Sequence, residues 1–177
     1  MSLALRPERP EDHAAARRVH ERAFPTAAEA DLVDALRADR ATVPELCLVA
    51  VERGGGKVAG HIVFSRARLD GGAPLLVLAP VAVDPDAQRR GIGGALVREA
   101  LRRAPAAAPG VPLVSVLGHA DYYPRFGFEP AAPLGIRAPF EVPDDAWMAF
   151  KLPAYPPPDR PAPAGVVVYA DAFAAVA

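Results

Sequence analysis

The segment from Leu75 to Arg103 constrains the fold of this 177-residue chain more than any other stretch. Its first nine residues, Leu75 to Val83, are apolar except where Pro80 interrupts them. Such a run is typical of a strand buried on both faces, and the proline, which has no N–H, breaks the pairing at one point. Glycines at positions 91, 93 and 94 follow, and then apolar residues recur every four positions, as in an amphipathic helix. The segment therefore predicts a strand, a tight glycine turn and a helix.

The glycines at the start of this helix have two interpretations. They leave the first helical turn open, and the first N–H groups of a helix have no partners within it. Together with the positive end of the helix dipole, this geometry binds anions such as phosphate. The residues form neither a Walker loop nor the Gly-x-Gly-x-x-Gly turn of a dinucleotide fold. From the glycines alone, an anion site and a closely packed turn are both open.

Two motifs together resemble one protein family. Gln88-Arg89-Arg90-Gly91-Ile92-Gly93 is similar to the Gln/Arg-x-x-Gly-x-Gly/Ala signature of the GNAT superfamily of acetyl-coenzyme A-dependent N-acetyltransferases. Gly118 to Phe128 resembles the later motif of that family. That motif ends in Tyr-x-x-x-Gly-Phe, which here runs from Tyr123 to Phe128. The complete sequence of this motif, together with Gly60 to Ile62 and Gly165 to Phe173, is similar to the YhbS-like branch of the family. The resemblance covers most of the chain.

The resemblance implies a cosubstrate and the residues that hold it. In this family the amides of the glycine turn hold the pyrophosphate of coenzyme A, so acetyl-CoA is the expected cosubstrate. A backbone N–H near the end of the preceding strand would polarise the thioester carbonyl. The implied cofactor residues are Val81, Ala82, Val83, Gln88, Arg89, Arg90, Gly91, Ile92, Gly93, Gly94 and Ala95. The plainer alternative for the two arginines is that they are solvated.

Seven segments of the chain predict strands, and their connections predict a mixed sheet. Glycine turns join the second, third and fourth segments as antiparallel neighbours. A helix separates the fourth from the fifth, so these two can lie parallel through a crossover. The motifs imply the GNAT fold, an α/β (α+β) mixed, mostly antiparallel central sheet with a splayed parallel strand pair, flanked by helices. The segments are Ser2–Arg6, Glu45–Arg53, Lys57–Arg68, Leu75–Val83, Pro112–Leu117, Ala146–Leu152 and Val166–Tyr169.

Other segments predict helices and a strap. A helix is expected from Glu11 to Phe24, and a second one follows Thr26 to Glu29, which has the capping-box pattern. His119 to Phe126 is expected to form a short helix at the mouth of the gap between the splayed strands. Residues Pro153 to Pro163 contain six prolines, which predicts an extended polyproline strap over a sheet edge. A partner-binding peptide is the alternative for this strap.

Acetyl transfer also needs groups that handle protons. Tyr123 stands four residues before Gly127, where many GNAT enzymes carry a general-acid tyrosine, so the resemblance makes it the candidate partner of the departing thiolate. Tyr122 is the adjacent rival, and an ordinary buried tyrosine is the plain alternative. Histidine is a common proton acceptor in catalysis, so His119 is either the base that deprotonates the amine or a cap of the short helix.

The remaining reactive side chains have plainer explanations. His61 lies on a predicted strand and is expected in the core, with the cleft as the other option. His13 and His20 would lie about 10 Å apart on one helix, too far to chelate a single ion. Cys47 lies in an apolar run and has no second cysteine for a disulfide or a cysteine-based metal site. We therefore predict no metal.

The predicted function is direct transfer from acetyl-CoA, within a ternary complex, to a primary amine of an unidentified small molecule or peptide. The helices from Glu11 to Arg37 would form one wall of the acceptor site. There Glu29, Asp31 and Asp34 either attract a cationic amine or form a solvated helix face. Because no general base stands out, a non-catalytic acyl-CoA-binding sensor or assembly module is the alternative. Homodimers are common in the family, and a homodimer is left open.

Composition disfavours several classes of protein. A net charge of −1 creates no general field for nucleic acid. No apolar stretch matches a signal peptide or a membrane span, so no membrane association is expected. A single cysteine agrees with a reducing, cytoplasmic location. The length suits one domain, residues 1–177.

Overall fold

The computed structural model of the protein describes residues 3–54 and 56–175. Its helices are α1 (His13–Ala23), α2 (Ala28–Ala38) and α3 (Ile92–Ala107). Each predicted strand segment contains a strand, although Ser2 lies outside the described residues, and two short strands, β6 and β7, were not predicted. The strands are β1 (Leu3–Pro7), β2 (Leu48–Glu52), β3 (Val58–Leu69), β4 (Pro74–Val83), β5 (Leu113–Leu117), β6 (Glu129–Pro130), β7 (Ile136–Arg137), β8 (Trp147–Lys151) and β9 (Gly165–Val168).

The strands form a mixed sheet in the order β1-β2-β3-β4-β5-β8-β6. Along this order, neighbours are antiparallel except β4 and β5, which pair in parallel at Leu76–Val114 and Val77–Ser115. β9 pairs with the end of β3, and β7 lies parallel to β9. The predicted mixed sheet, mostly antiparallel with a central parallel pair, is confirmed.

The two faces of the sheet are covered by different helices, because successive side chains of a strand point to opposite faces. On one face, Ile62 of β3 packs in the main core with Leu96 of α3. On the other face, the next residue, Val63, packs with Leu36 of α2. α1 covers this second face as well, where Val19 packs against Val49 and Ala82. The sheet is thus sandwiched between α3 and the pair α1 and α2.

A buried row of polar side chains joins α1, α2 and the sheet. His20 of α1 and His61 of β3 are both 0% exposed, and His20 Nε2 lies 2.9 Å from His61 Nδ1. His61 Nε2 lies 2.9 Å from Glu8 Oε2, at hydrogen-bond distance although outside the angles of a well-formed bond. Arg37 of α2 donates to Glu8 at 2.6 Å. Since a carboxylate only accepts, the His61 proton belongs on Nε2 and His20 Nε2 donates to His61 Nδ1. The predicted core position of His61 is confirmed.

The predicted capping box at α2 is wrong. The first α-helical hydrogen bond of α2 runs from Asp31 N–H to Ala27 O at 2.8 Å, so Ala27 is the N-cap and the helix begins after it. Thr26 therefore lies one residue too early to cap in this way. Its hydroxyl instead accepts a long bond of 3.3 Å from the Ala28 N–H.

Two further segments differ from the predictions in their backbone. The helix expected from His119 is limited to a 3₁₀ turn at Tyr123–Phe126, with Pro124 in its first turn, where the missing N–H of proline is tolerated. Gly127 ends this turn with a φ of 98°. The proline-rich segment 153–163 is not one extended strap. It turns where the Arg160 N–H bonds to Pro157 O at 3.0 Å.

Candidate active site

The parallel strands β4 and β5 separate soon after they pair. Their pairing covers Leu76–Val114 and Val77–Ser115, beyond which β4 continues beside β3 and β5 continues beside β8. On β4, Ala79 and Pro80 form a bulge opposite Val63. This bulge lies where the proline was predicted to break the pairing. The sheet therefore opens at its centre into a gap between the C-terminal halves of β4 and β5.

Backbone N–H groups of β4 point into this gap at alternate residues. The Asp84 N–H donates to the Ala59 carbonyl oxygen of β3 at 2.9 Å, which marks a hydrogen-bonded pair of the antiparallel ladder. Such pairs alternate with non-bonded ones, so Ala82 faces β3 whereas the N–H groups of Val81 and Val83 face the gap. The Val83 carbonyl agrees with this pattern, because it accepts from Gln88 Nε2 at 3.1 Å. Of the predicted backbone donors, Val81 and Val83 therefore face the gap.

The first turn of α3 presents backbone amides that have no acceptor within the helix. Arg89 and Gly91 both have left-handed backbone, with φ values of 61° and 77°, and Gly91 is the N-cap of the helix. The Ala95 N–H bonds to Gly91 O at 2.9 Å and so begins the helical ladder. The amides of residues 92–94 are left without helical acceptors at the positive end of the dipole. The amides open to an anion therefore end at Gly94, one residue earlier than predicted.

A cavity of about 520 Å³ lies beside these amides. We call it the α3 cavity. Most of the predicted cofactor residues line it, namely Val83, Gln88, Arg89, Gly91, Ile92, Gly93 and Gly94. Within the described part of the chain, Val81, Ala82 and Ala95 lie outside this lining. Arg90 lines a separate depression with Leu3 and Glu52.

Two arginines of the α3 cavity were not predicted. Arg98 lies 5.0 Å from the centroid of the Phe126 ring, and Arg125 lies 4.7 Å from that of Tyr122. Together with Arg89 they line the cavity with guanidinium groups, which suit phosphate oxygens. The sequence contained two signals that could have identified them. Arg98 lies one helical turn beyond the glycines, and Arg125 lies within the later motif.

The close approach of the Tyr122 loop requires glycine at the start of α3. A Cβ atom at Gly93 would lie 3.1 Å from Tyr122 Oη and 3.5 Å from Val83 Cγ2. A Cβ atom at Gly94 would lie 3.5 Å from the Phe126 ring. Side chains at these positions would crowd the loop and fill the cavity in front of the amides. The close-packed turn and the anion site are therefore compatible interpretations of the same glycines.

The two candidate tyrosines have different surroundings. Tyr123 is 7% exposed and packs in the main core, with its ring against Gly118 and Phe128. Burial raises the pKa of Tyr123 to about 12, so its phenol stays protonated at neutral pH. Tyr122 is half-buried and lines the α3 cavity, and burial raises its pKa as well. Tyr122 is thus the more accessible of the two from this cavity.

His119 lies on the surface at the end of β5. Its carbonyl accepts from the Tyr122 N–H at 3.0 Å, so the residue opens the following turn through its backbone. In the described structure, the 3₁₀ turn at Tyr123–Phe126 has no side-chain cap. The capping alternative for the His119 imidazole is therefore wrong, and the ring is available for another role.

A second cavity, of about 480 Å³, opens on the other face of the sheet. We call it the fork cavity. Residues 77–79 of β4 and Leu117 of β5 border it, together with Phe140, Tyr169 and Phe173. Phe173 packs against the cluster that holds α2, which places the fork cavity opposite α3. The sequence did not predict this cavity.

Two of the three acidic residues of α2, Asp31 and Asp34, are engaged elsewhere, whereas Glu29 Oε2 is buried without a hydrogen-bond partner in the described structure. Arg17 of α1 donates to Asp31 at 2.8 Å and to Asp34 at 2.7 Å, and both carboxylates are largely exposed. Asp34 also pairs with Arg37 at 3.0 Å. The solvated-face interpretation therefore describes Asp31 and Asp34. Neither lines the fork cavity within the described chain.

Residues 3–54 and 56–175 contain neither a metal-binding cluster of side chains nor a membrane-spanning helix. No group of three or more His, Cys, Asp or Glu side chains in these ranges is arranged to hold a metal ion. No helix in them combines the length and apolarity needed to cross a bilayer. Cys47 is fully buried, and burial raises the pKa of its thiol to about 12, so it is not an activated nucleophile.

Comparisons with known proteins point to one family. Residues 44–130 match a family model described as an acetyltransferase (GNAT) domain. The chain is 44% identical over 147 residues to the uncharacterized N-acetyltransferase YjhQ of Escherichia coli (strain K12), with 79% of each chain covered. It is similar to the structure of the GNAT family N-acetyltransferase YhbS from E. coli in complex with CoA, with a TM-score of 0.86, 30% identity, and 97% of this chain and 92% of that chain covered. A GNAT family acetyltransferase from Brucella melitensis in complex with acetyl-CoA gives a TM-score of 0.73 at 33% identity, with 97% and 98% covered.

Proposed function

The chain belongs to the GNAT family of acetyl-CoA-dependent N-acetyltransferases, and we propose that it acetylates a primary amine by direct attack within a ternary complex. The acceptor is a small molecule or a peptide. The observation that carries this proposal is the α3 cavity, in which unpaired helix amides and arginines lie beside an open fork in the sheet. The two similar structures that contain CoA or acetyl-CoA support it.

The residues of the α3 cavity fit a cofactor that carries phosphates. Because Gly93 and Gly94 lack side chains, an anion can approach the amides of the first helical turn. Arg89, Arg98 and Arg125 add charge around the same cavity. We assign the cofactor phosphates to these groups. Acetyl-CoA, when bound, supplies the thioester whose acetyl group is transferred.

Backbone donors at the gap would stabilise the charge that develops on the carbonyl oxygen. The N–H groups of Val81 and Val83 point into the gap and are held in place by the β3–β4 ladder. Donors fixed before the reaction stabilise developing charge at little cost in reorganisation. A side-chain substitution at either residue would leave the backbone donor in place. Their role is therefore tested by changes to the geometry of the fork between β4 and β5.

Tyr123 is the proposed partner of the departing sulfur. Its pKa, raised to about 12 by burial, keeps the phenol protonated and able to donate a hydrogen bond as negative charge grows. A phenol of this pKa is a weaker acid than a thiol with a pKa of about 8.5. Tyr123 would therefore stabilise the thiolate by a hydrogen bond more than it would protonate it. Tyr122 is the rival for this role.

His119 is the proposed base for the acceptor. A primary ammonium with a pKa of about 10.4 must lose a proton before its nitrogen can attack. The imidazole of His119 is exposed at the end of β5, beside the mouth of the gap. Its position at the surface allows the proton to pass on to solvent.

Amine-dependent release of free thiol from acetyl-CoA tests the proposed function. A panel of amines and peptides should contain acceptors that accelerate thiol release over the rate with water. Varying both substrates should give intersecting reciprocal plots, since a ternary complex forms before transfer. Parallel plots would contradict direct attack. Tight binding of acetyl-CoA without amine-dependent release would instead favour the non-catalytic sensor.

A further inference from the structure

We propose that the fork cavity selects a small primary amine carried on an aromatic or branched aliphatic body. This inference rests on the proposed function and adds the chemical class of the acceptor. Such an amine joins a cationic head to an apolar group through a short linker. Sugars, polyamines and lysine-like acceptors lack the apolar group.

The position of the fork cavity suits an acceptor. The fork and α3 cavities lie on opposite faces of the same gap, and both are bordered by β4. Val77 to Ala79 border the fork cavity, Val83 borders the α3 cavity, and the Val81 N–H lies between these stretches. A nitrogen held in the fork cavity can therefore approach the gap from the face opposite to the phosphate-binding amides.

Two exposed apolar side chains mark the fork cavity as a binding surface. Phe140 is 48% exposed and Leu117 is 47% exposed, and they are the large hydrophobic residues exposed in the described chain. Both line this cavity. Single exposed apolar residues are ordinary, whereas their convergence in a concave site indicates a ligand that covers them.

The walls of the fork cavity are aromatic. The rings of Phe140 and Tyr169 are nearly parallel, with an interplanar angle of 4° and centroids 6.1 Å apart. Phe173 lies against the Tyr169 ring, with centroids 4.6 Å apart. Burial raises the pKa of Tyr169 to about 12, so this wall carries no charge at neutral pH. Flat, uncharged walls favour a planar or branched apolar group.

The charge at the fork cavity selects a cation. Asp171 is exposed and is the charged residue of the described lining, which otherwise consists of apolar residues and Tyr169. The arginines of the gap region line the α3 cavity instead. A volume of about 480 Å³ suits a small molecule. The fork cavity therefore combines a carboxylate for an ammonium with apolar walls for its body.

The transfer step would also yield an uncharged product. The neutral amine nitrogen forms a bond to the acetyl carbon, the carbon–sulfur bond breaks with its electron pair on sulfur, and the nitrogen loses its second proton to the base. The thiolate then takes a proton to give free CoA thiol. The resulting amide is neutral, so it no longer attracts Asp171. Selectivity for charge thus favours substrate binding over product retention.

The test compares matched amines and cavity variants. Phenethylamine, tryptamine and isoamylamine are compared with putrescine, glucosamine and lysine in thiol release at saturating acetyl-CoA. We expect higher kcat/KM for the apolar group. Phe140→Ser should raise KM for apolar amines about tenfold, because part of an aromatic contact surface is lost. Phe140→Leu should retain most of the affinity. Asp171→Asn should raise KM about threefold, while Asp159→Asn, an exposed acid outside the cavity, should not.

Each outcome separates this inference from the proposed function. Equal or better transfer to polar amines, with Phe140→Ser and Asp171→Asn kinetically silent, would overturn the inference and leave the acetyltransferase intact. Binding of acetyl-CoA without transfer to any amine would overturn both. Light scattering adds a third outcome. If Phe140→Ser dissociates a dimer and leaves amine selectivity unchanged, a second copy covers this surface and the inference fails.

Discussion

Acidification from pH 7 to pH 5 should lower the free energy of unfolding by about 2 kcal/mol through one buried residue, His20. Burial lowers the pKa of His20 to about 3, and the positive charge of Arg37 lowers it further. The ring has no exposed surface, and its Nδ1 finds no partner in the described structure. The folded protein therefore keeps His20 neutral at pH values where the unfolded chain protonates it.

The sign and size of the effect follow from proton uptake. The unfolded chain binds a proton at His20 with a pKa of about 6.5, so unfolding takes up a proton below that pH. The stability that is present above about pH 6.5 is lost as the pH falls toward the folded pKa of about 3. Glu8 titrates in a lower window. Burial opposes its ionisation, but hydrogen bonds from His61 and Arg37 and the positive charge of Arg37 lower its pKa to about 2. Its contribution is lost only below about pH 4.3.

Urea unfolding at pH 7 and pH 5 measures this difference. His20→Gln keeps an N–H donor for His61 and cannot titrate, so its stability should change by about 2 kcal/mol less between the two pH values. His119→Asn removes an exposed histidine and should behave as the wild type. Equal pH dependence in the wild type and His20→Gln would refute the buried, neutral His20.

Three further predictions concern the two tyrosines, Gly91 and Cys47. Tyr123→Phe should lower kcat about 10- to 100-fold at unchanged acetyl-CoA affinity, because a hydrogen bond to a charged group is lost. Tyr122→Phe should instead change the affinity for acetyl-CoA. If Tyr122→Phe lowered kcat and Tyr123→Phe changed the affinity, the proposed roles of the two tyrosines would be reversed. Gly91→Ala should lower the free energy of unfolding, measured in urea, by about 1 kcal/mol. The cause is the left-handed φ of 77° at this position, since no atom lies within 4 Å of the added Cβ. Cys47 should resist a thiol reagent in the native protein and react once unfolded, since it is 0% exposed.

The sequence predicted those parts of the fold that depend on local pattern. Pro80 has no N–H, and a bulge lies at that position in β4. The glycines at 91, 93 and 94 open α3, as the helical spacing after them indicated. The helix between β4 and β5 allowed a parallel pair through a crossover, and that pair is present. The first two features follow from residues that are close together along the chain, and the third follows from the single α-helix that connects the two strands.

The features that the sequence missed depend on contacts between distant segments. His20 and His61 are 41 residues apart and meet only because α1 packs on β3. The walls of the fork cavity come from Phe140 and Tyr169, which lie in irregular segments without a periodic pattern. The capping box failed for a smaller reason, since a start one residue later moved Thr26 out of register. Spacing alone does not determine such placements.

Calorimetric titration of acetyl-CoA into the wild type and Gly93→Val tests the central claim most directly. A valine at 93 would place carbon atoms beside Tyr122 Oη and in front of the helix amides, where a Cβ alone lies 3.1 Å from that oxygen. Gly71→Val is the matched control, because no atom lies within 4 Å of a Cβ at that position. We predict saturable binding in the wild type and Gly71→Val, and at least about a tenfold loss of affinity in folded Gly93→Val. Equal affinity in all three proteins would contradict a cofactor site at the start of α3.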